Sequence, residues 1–279
     1  MAAPIPSEFK SVVAFIFIEN ENGKLVPNGT AFFVGVKNAS DPNISSVYLV
    51  TAKHVLYKPK TTEFFDKVYV RLNKKEGGSE IGAIPIKTEG EKRTVFTHND
   101  PNVDIAVIPC LPNQAKFDFK FLPDDMITTR KAYKDLKIRE GSEVFFTGLF
   151  SHHPGVERNY PIVRFGRVAL VTDEKIEWEP GKHMDLYLIE AGSYGGNSGS
   201  PVFFSLGSDR EPGSIIIGST IYKLAGVMKG TFLDARKIKV VETKKVDFAL
   251  SSMGIAAVVP GYKLHEVLFS EEVKKNRGF

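Results

Sequence analysis

Ala191-Gly-Ser-Tyr-Gly-Gly-Asn-Ser-Gly-Ser-Pro-Val-Phe203 crowds glycine and serine into a turn that runs straight into an apolar, strand-like segment. Glycine takes positive φ and lets backbones approach closely. Gly196-Asn-Ser198-Gly-Ser-Pro201 therefore suits a turn that presents one hydroxyl, that of Ser198, while pointing successive N–H groups inward. A nucleophile beside a cradle for a developing oxyanion needs that geometry. Gly/Ser clusters also make ordinary loops, so the reading depends on what the rest of the chain supplies.

A serine hydroxyl needs a general base, and the base needs an orienting acid. Val47-Tyr-Leu-Val-Thr-Ala-Lys-His54 is an apolar strand ending near a histidine, and Asp104-Ile-Ala-Val-Ile108 is a strand that begins with a carboxylate. His98, His152, His153, His183 and His265 sit in polar or turn-like contexts, leaving His54 as the candidate base. Asp100 is the rival to Asp104, but Asp104 has the apolar successors that would shield a carboxylate from water. The order along the chain is His54, Asp104, Ser198.

Gly29-Thr-Ala-Phe-Phe-Val-Gly35, Thr51-Ala-Lys-His54, Asp104-Ile-Ala and Gly196-Asn-Ser198-Gly-Ser-Pro201 together resemble the chymotrypsin-like serine peptidases. Within them the chain looks most like the HtrA-type bacterial branch, through Asn197 and through Gly254-Ile-Ala-Ala-Val-Val-Pro260. The resemblance implies an all-β fold of two six-stranded Greek-key β-barrels with a short C-terminal helix and a cleft between the barrels. It implies a serine endopeptidase working through an acyl-enzyme on protein or peptide substrates: Ser198 as nucleophile, His54 as base, Asp104 as orienter, and an oxyanion hole around Gly196, Asn197 and Ser198. Asn197 stands where trypsin-type zymogens carry an aspartate, which argues against activation by N-terminal clipping. Two departures are expected to matter: no PDZ-like segment follows, and Ser200 replaces a glycine common in relatives, at a position expected to face substrate. Left open beside the enzyme are a catalytically quiet peptide-binding module and a peptidase latent until a regulatory partner or homo-oligomer orders its loops.

Bulk properties agree with a globular chain. Of 279 residues, 42% are hydrophobic and 25% charged, ordinary values for a packed domain. The formal charge of +4 is too mild to argue for nucleic acid. Cys110 is the only cysteine, which excludes an internal disulfide and fits a reducing, cytoplasmic setting; it reads as a small buried hydrophobe. Val12–Ile18 is too short for a leader and reads as the first strand, and no apolar run reaches the ~18 residues of a membrane span. His152-His153 lacks a third ligand at metal spacing, so no metal and no cofactor are expected.

Recurrent strand signals predict a first lobe over 1–111 carrying His54 and Asp104, a polar, non-helical connection over 112–141, and a second lobe over 142–279 carrying Ser198 and ending in a helix from about Tyr262 to Lys275. The basic stretch Leu224–Lys245 reads as a long loop that regulates activity. The pocket for the residue before the scissile bond is expected between Gly192-Ser193-Tyr194 and Ser219-Thr220-Ile221-Tyr222, a register chosen over Ala225–Met228. Neither wall holds a carboxylate, so small or medium uncharged side chains, aliphatic before polar, are expected to enter.

Overall fold

The structure is a computed structural model that describes residues 4–277 except 39, 42, 91, 194, 208–219 and 240–245, with backbone alone for 234–239 and 246–251. A short helix α1 (Glu8–Ser11) leads into β1 (Val13–Glu19), β2 (Leu25–Lys37), β3 (Ser45–Thr51), β4 (Lys67–Asn73), β5 (Ser79–Pro85), β6 (Phe96–Thr97), β7 (Ala106–Pro109) and β8 (Leu122–Pro123). They form a barrel-like sheet in the order β5-β4-β1-β2-β3-β7-β6, with β8 parallel to β2. The expected first barrel of six strands is thus an eight-stranded sheet among the described residues, because the two-residue β6 pairs with β7 and the connecting segment returns a second short strand to β2. That segment also holds a helix, α2 (Arg130–Asp135), where none was expected. It starts at Thr129, whose hydroxyl accepts from the Ala132 N–H and satisfies one orphan donor of the first turn.

The second lobe contains β9 (Glu143–Gly148), β10 (Ile162–Leu170), the small hairpin β11 (Ile176–Glu179) and β12 (Lys182–Met184), β13 (Tyr187–Glu190), β14 (Pro201–Leu206), β15 (Ile221–Lys239) and β16 (Val246–Pro260). Six of these close a barrel in the order β10-β13-β16-β15-β14-β9. The basic stretch expected as a loop is therefore largely strand. From Leu233↔Ser252 to Lys239↔Val246, β15 and β16 continue as a paired ribbon beyond their contacts with the other barrel strands. The single helix expected at the end is two, α3 (Gly261–Leu268) and α4 (Glu271–Asn276), because Ser270 caps a new start by accepting from the Val273 N–H.

Strand periodicity explains how the lobes hold each other. Successive side chains point to opposite faces, so of Phe145-Phe146 and Phe203-Phe204 the second ring of each pair enters the barrel core with Val168, Ile189 and Met228. The first ring of each faces the other lobe. Phe145 and Phe203 stack at 5.0 Å, and Phe9 of α1 lies against both, at 5.2 and 4.7 Å, and against Tyr222 at 5.0 Å. A buried phenylalanine stabilises by about 1.5–3 kcal/mol through area alone, so α1, only four residues long, works as a plug between lobes. A second tie is polar: Arg71 of β4, buried against the Phe17 ring, donates to the carbonyls of Pro154 and Gly155 and to Asn159, fixing the loop after β9.

Candidate active site

His54 lies in the 3-10 turn Lys53–Leu56 directly after β3. Its backbone N–H donates to Asp104 Oδ1 at 2.9 Å, and its Nδ1 lies 2.6 Å from Asp104 Oδ2. One carboxylate thus fixes both the main chain and the ring. The imidazole is 35% exposed and the carboxylate 5%, so one end of the ring is dry and the other faces the cleft. Asp104 owes its place to the turn before it, where Val103 N–H donates to the Asp100 carbonyl and Asn102 N–H to the Asp100 carboxylate. Asp100 itself pairs with Lys175 at 3.2 Å, so the two aspartates divide the work between turn and histidine. Burial pushes the Asp104 carboxyl up, but the charges and hydrogen bonds of His54 and Lys229 more than offset this and hold it well below the usual carboxylate range.

Ser198 sits in the loop between β13 and β14. Gly196 and Gly199 take φ of +94° and +83°, and at Gly199 a Cβ would meet the Thr30 carbonyl at 2.1 Å, so no other residue fits there without displacement. Thr30 of β2 organises this turn from the opposite lobe. Its N–H donates to the Ser198 carbonyl at 2.9 Å, its hydroxyl to the Gly196 carbonyl at 2.8 Å, and the same hydroxyl accepts from Leu149 N–H at 2.9 Å. Buried Asn197 adds a bond from Nδ2 to the Leu149 carbonyl at 2.8 Å. With their carbonyls tied to Thr30, Gly196 and Ser198 keep N–H groups that find no protein acceptor among the described residues. The loop thus presents two backbone donors on one side of the Ser198 turn.

The Ser198 hydroxyl donates to the Lys229 carbonyl at 3.2 Å, and among the described residues no hydrogen bond joins it to His54. Both residues nevertheless line one open cavity of about 310 Å³, together with Asn28, Tyr57, Lys58 and Lys60. Burial raises the Tyr57 phenol to about 12, so it stays neutral.

The expected pocket needs correction on one side. Ile221 pairs with Leu206, and Tyr222 pairs with Ser205 while packing on Phe9 and Phe145, at the end of the hairpin remote from Ser198. Thr220 precedes β15, and Ser219 lies outside the described residues, as does Tyr194. The strand that passes Ser198 is Val227–Thr231: Gly199 N–H donates to the Met228 carbonyl and Met228 N–H to the Ser200 carbonyl. The register is set by Gly226, where a Cβ would meet the Val259 carbonyl at 2.0 Å. On the other side Gly192 and Ser193 are in place; Gly192 accepts from Arg164 at 3.1 Å, and Ser193 is buried. Ser200 does not face the cleft. It is fully buried, its hydroxyl against Gly148, so its difference from glycine touches the turn's underside.

Sequence reasoning missed Lys229, whose Nζ lies 2.8 Å from Asp104 Oδ2. The signal was present: Lys229 is the sole charge in Leu224-Ala-Gly-Val-Met-Lys-Gly-Thr-Phe232, a stretch otherwise suited to burial. Cys110 is partly buried beside β7, and burial pushes its thiol up to about 11, which leaves it an inert hydrophobe. Among the described residues no helix is long and apolar enough to cross a membrane.

Residues 29–208 match the trypsin-like peptidase domain family. Among solved structures, Deg5 is similar at a TM-score of 0.44 and 18% identity, over 80% of this chain and 81% of that one. An inactive serine-to-alanine mutant of Rv3671c from M. tuberculosis H37Rv is similar at a TM-score of 0.43 and 16% identity, over 96% and 95%. No curated protein shows significant similarity. The family match takes in His54, Asp104 and Ser198 together with the Thr30 and Asn197 contacts that shape the serine turn, and the chain belongs to the trypsin-like peptidase domain family.

Proposed function

We propose that this peptidase-family chain is a serine endopeptidase that cleaves through an acyl-enzyme, with Ser198 as nucleophile, His54 as general base and then general acid, and Asp104 as orienter. The observation that carries the reading is the 2.6 Å contact of His54 Nδ1 with buried Asp104, on a ring whose other end opens into the cavity that holds Ser198. That contact favours the tautomer with a proton on Nδ1 and a lone pair on Nε2, and it stabilises the imidazolium formed when Nε2 takes the serine proton. As Oγ attacks a carbonyl, it leaves the Lys229 carbonyl and turns toward His54. Resting sites often hold such bonds loosely and tighten them with substrate bound. The N–H groups of Gly196 and Ser198 then receive the developing oxyanion. His54 returns its proton to the leaving amine, and a water activated by the same imidazole releases the acyl group.

In this reading the side chain before the scissile bond lies between Gly192-Ser193 and Gly230-Thr231, backed by β16, to which Thr231 is tied by a 2.9 Å bond to the Ile255 carbonyl. These walls carry no carboxylate, so uncharged residues fit and Lys or Arg would be desolvated without a counter-charge. A reducing, cytoplasmic setting completes the proposal and rests on the lone Cys110. The test is labelling with a fluorophosphonate probe: the parent labels and Ser198→Ala does not, while both give the same circular dichroism. Equal labelling of the two proteins, or none of a folded parent, overturns the assignment.

A further inference from the structure

The side chain of Lys229 runs from β15 into the interior, where it is 11% exposed, and its Nζ reaches Asp104 Oδ2 at 2.8 Å with the Trp178 ring 5.2 Å away. That oxygen is the one that takes His54 Nδ1 at 2.6 Å, while Oδ1 takes the His54 N–H at 2.9 Å. The backbone of the same lysine accepts the Ser198 hydroxyl. One residue therefore touches both the carboxylate behind the histidine and the nucleophile in front of it. A buried ammonium on a buried carboxylate is held by strong, weakly screened attraction and is lost only at considerable cost.

We infer that Lys229 is a positioning residue for the Ser-His-Asp chemistry proposed above, locking the Asp104 carboxylate in place and sharing its negative charge with the His54 ring. The inference rests on the peptidase reading for its catalytic meaning, not for its geometry. Asp104 alone stabilises the imidazolium; an ammonium on the same oxygen opposes that stabilisation, since a like charge nearby disfavours the charged form of a base. The other groups around His54 cannot substitute. Lys53, on its own turn, spends its Nζ on the Pro101 carbonyl at 2.7 Å, and Tyr57 is neutral. Glu179, from the β11–β12 hairpin, is paired with Lys182 at 2.6 Å. Lys58 and Lys60 line the same open cavity at its solvent-accessible part, and Lys58 pairs with Glu63 at 3.6 Å.

The experiment follows the His54 ring by NMR titration in the Ser198→Ala background, where no turnover is required. In Lys229→Met the His54 midpoint rises by about one pH unit, a shift typical of losing one adjacent charge. Lys229→Arg, which keeps the charge, restores it to near the parent value. Should Lys229→Met fail to fold, Lys229→Gln retains a donor for Asp104 and carries the same expectation. With Ser198 present, the acid limb of kcat/KM moves up by the same amount. A His54 midpoint unchanged within about 0.2 pH unit, or a fall in kcat with the acid limb in place, marks Lys229 as a purely structural ion pair and overturns the inference. A shifted midpoint in a folded protein that neither labels nor cleaves overturns the peptidase reading and leaves the positioning role of Lys229 standing.

Discussion

Ser198 Oγ donates to the main-chain carbonyl of Lys229 at 3.2 Å, so the resting hydroxyl is held by β15 and not by His54. Attack requires that bond to break. In a crystal structure of the fluorophosphonate adduct, Oγ is expected to have left the Lys229 carbonyl, with the phosphonyl oxygen about 2.7–3.1 Å from the N–H groups of Gly196 and Ser198. An adduct oxygen pointing into solvent would refute the assignment of those donors.

The two aspartates of the 100–104 turn should separate cleanly. Asp104→Asn is expected to lower kcat on the order of 10⁴-fold, as such a change does in chymotrypsin-type triads. Asp100→Asn keeps an oxygen to accept the Asn102 N–H, loses only the part-exposed pair with Lys175, and should stay within about tenfold of the parent. Stability follows the same division. Asp104 is depressed in the folded state, so its contribution is present above the unfolded carboxyl value of about 3.9 and is lost as pH falls below it. Urea midpoints measured from pH 6 down to about pH 2.5 should fall more steeply for the parent than for Asp104→Asn; parallel curves would contradict the coupling.

Asn197 holds the turn through its neutral side-chain amide. Asn197→Ala leaves the Leu149 carbonyl buried without its partner, which costs about 1–3 kcal/mol, and it frees the turn to shift. A displacement near 1 Å at the donors corresponds to about a 100-fold slower labelling rate. Stopped-flow or gel-based labelling kinetics measure this directly, and a variant that loses stability but labels at the parental rate would show that the turn keeps its shape without Asn197.

Phe9 fills the space between the lobes against Phe145, Phe203 and Tyr222. Phe9→Ala should destabilise by about 3–5 kcal/mol, because three rings cannot collapse into the gap together. Urea denaturation followed by circular dichroism gives the value; a loss below about 1 kcal/mol would mean that the plug contributes little beyond its own methylene area.

The parts of the site legible in the sequence were those with local grammar. His54 and Asp104 stand at strand ends that apolar neighbours announce, and Gly196 and Gly199 mark a turn that only positive φ can make. The register of β15 was not legible, since Gly218 and Gly226 both follow apolar runs and are alike in sequence. What separates Gly226 is the carbonyl of Val259, more than thirty residues along the chain, pressing on its Cα. The ribbon that begins at Leu233 read as a basic loop because Asp234, Arg236, Lys237 and Lys239 break the apolar alternation on which the period-two signal depends. Lys229 was assigned to that loop by its charge, when its meaning lay in Asp104, fixed by a different lobe.

Thr30 belongs to the lobe of His54, yet it holds the carbonyls of Gly196 and Ser198 in the lobe of the nucleophile. The shape of the serine turn, and with it the donor pair proposed for the oxyanion, is therefore a property of the docked lobes, and the second lobe by itself lacks the clasp that shapes it. A chain emerging from the ribosome completes the Thr30 lobe first and the serine turn later, so the turn takes its shape only when both lobes are in place. On the proposed reading, Ser198 of a half-made chain has no shaped donor pair beside it.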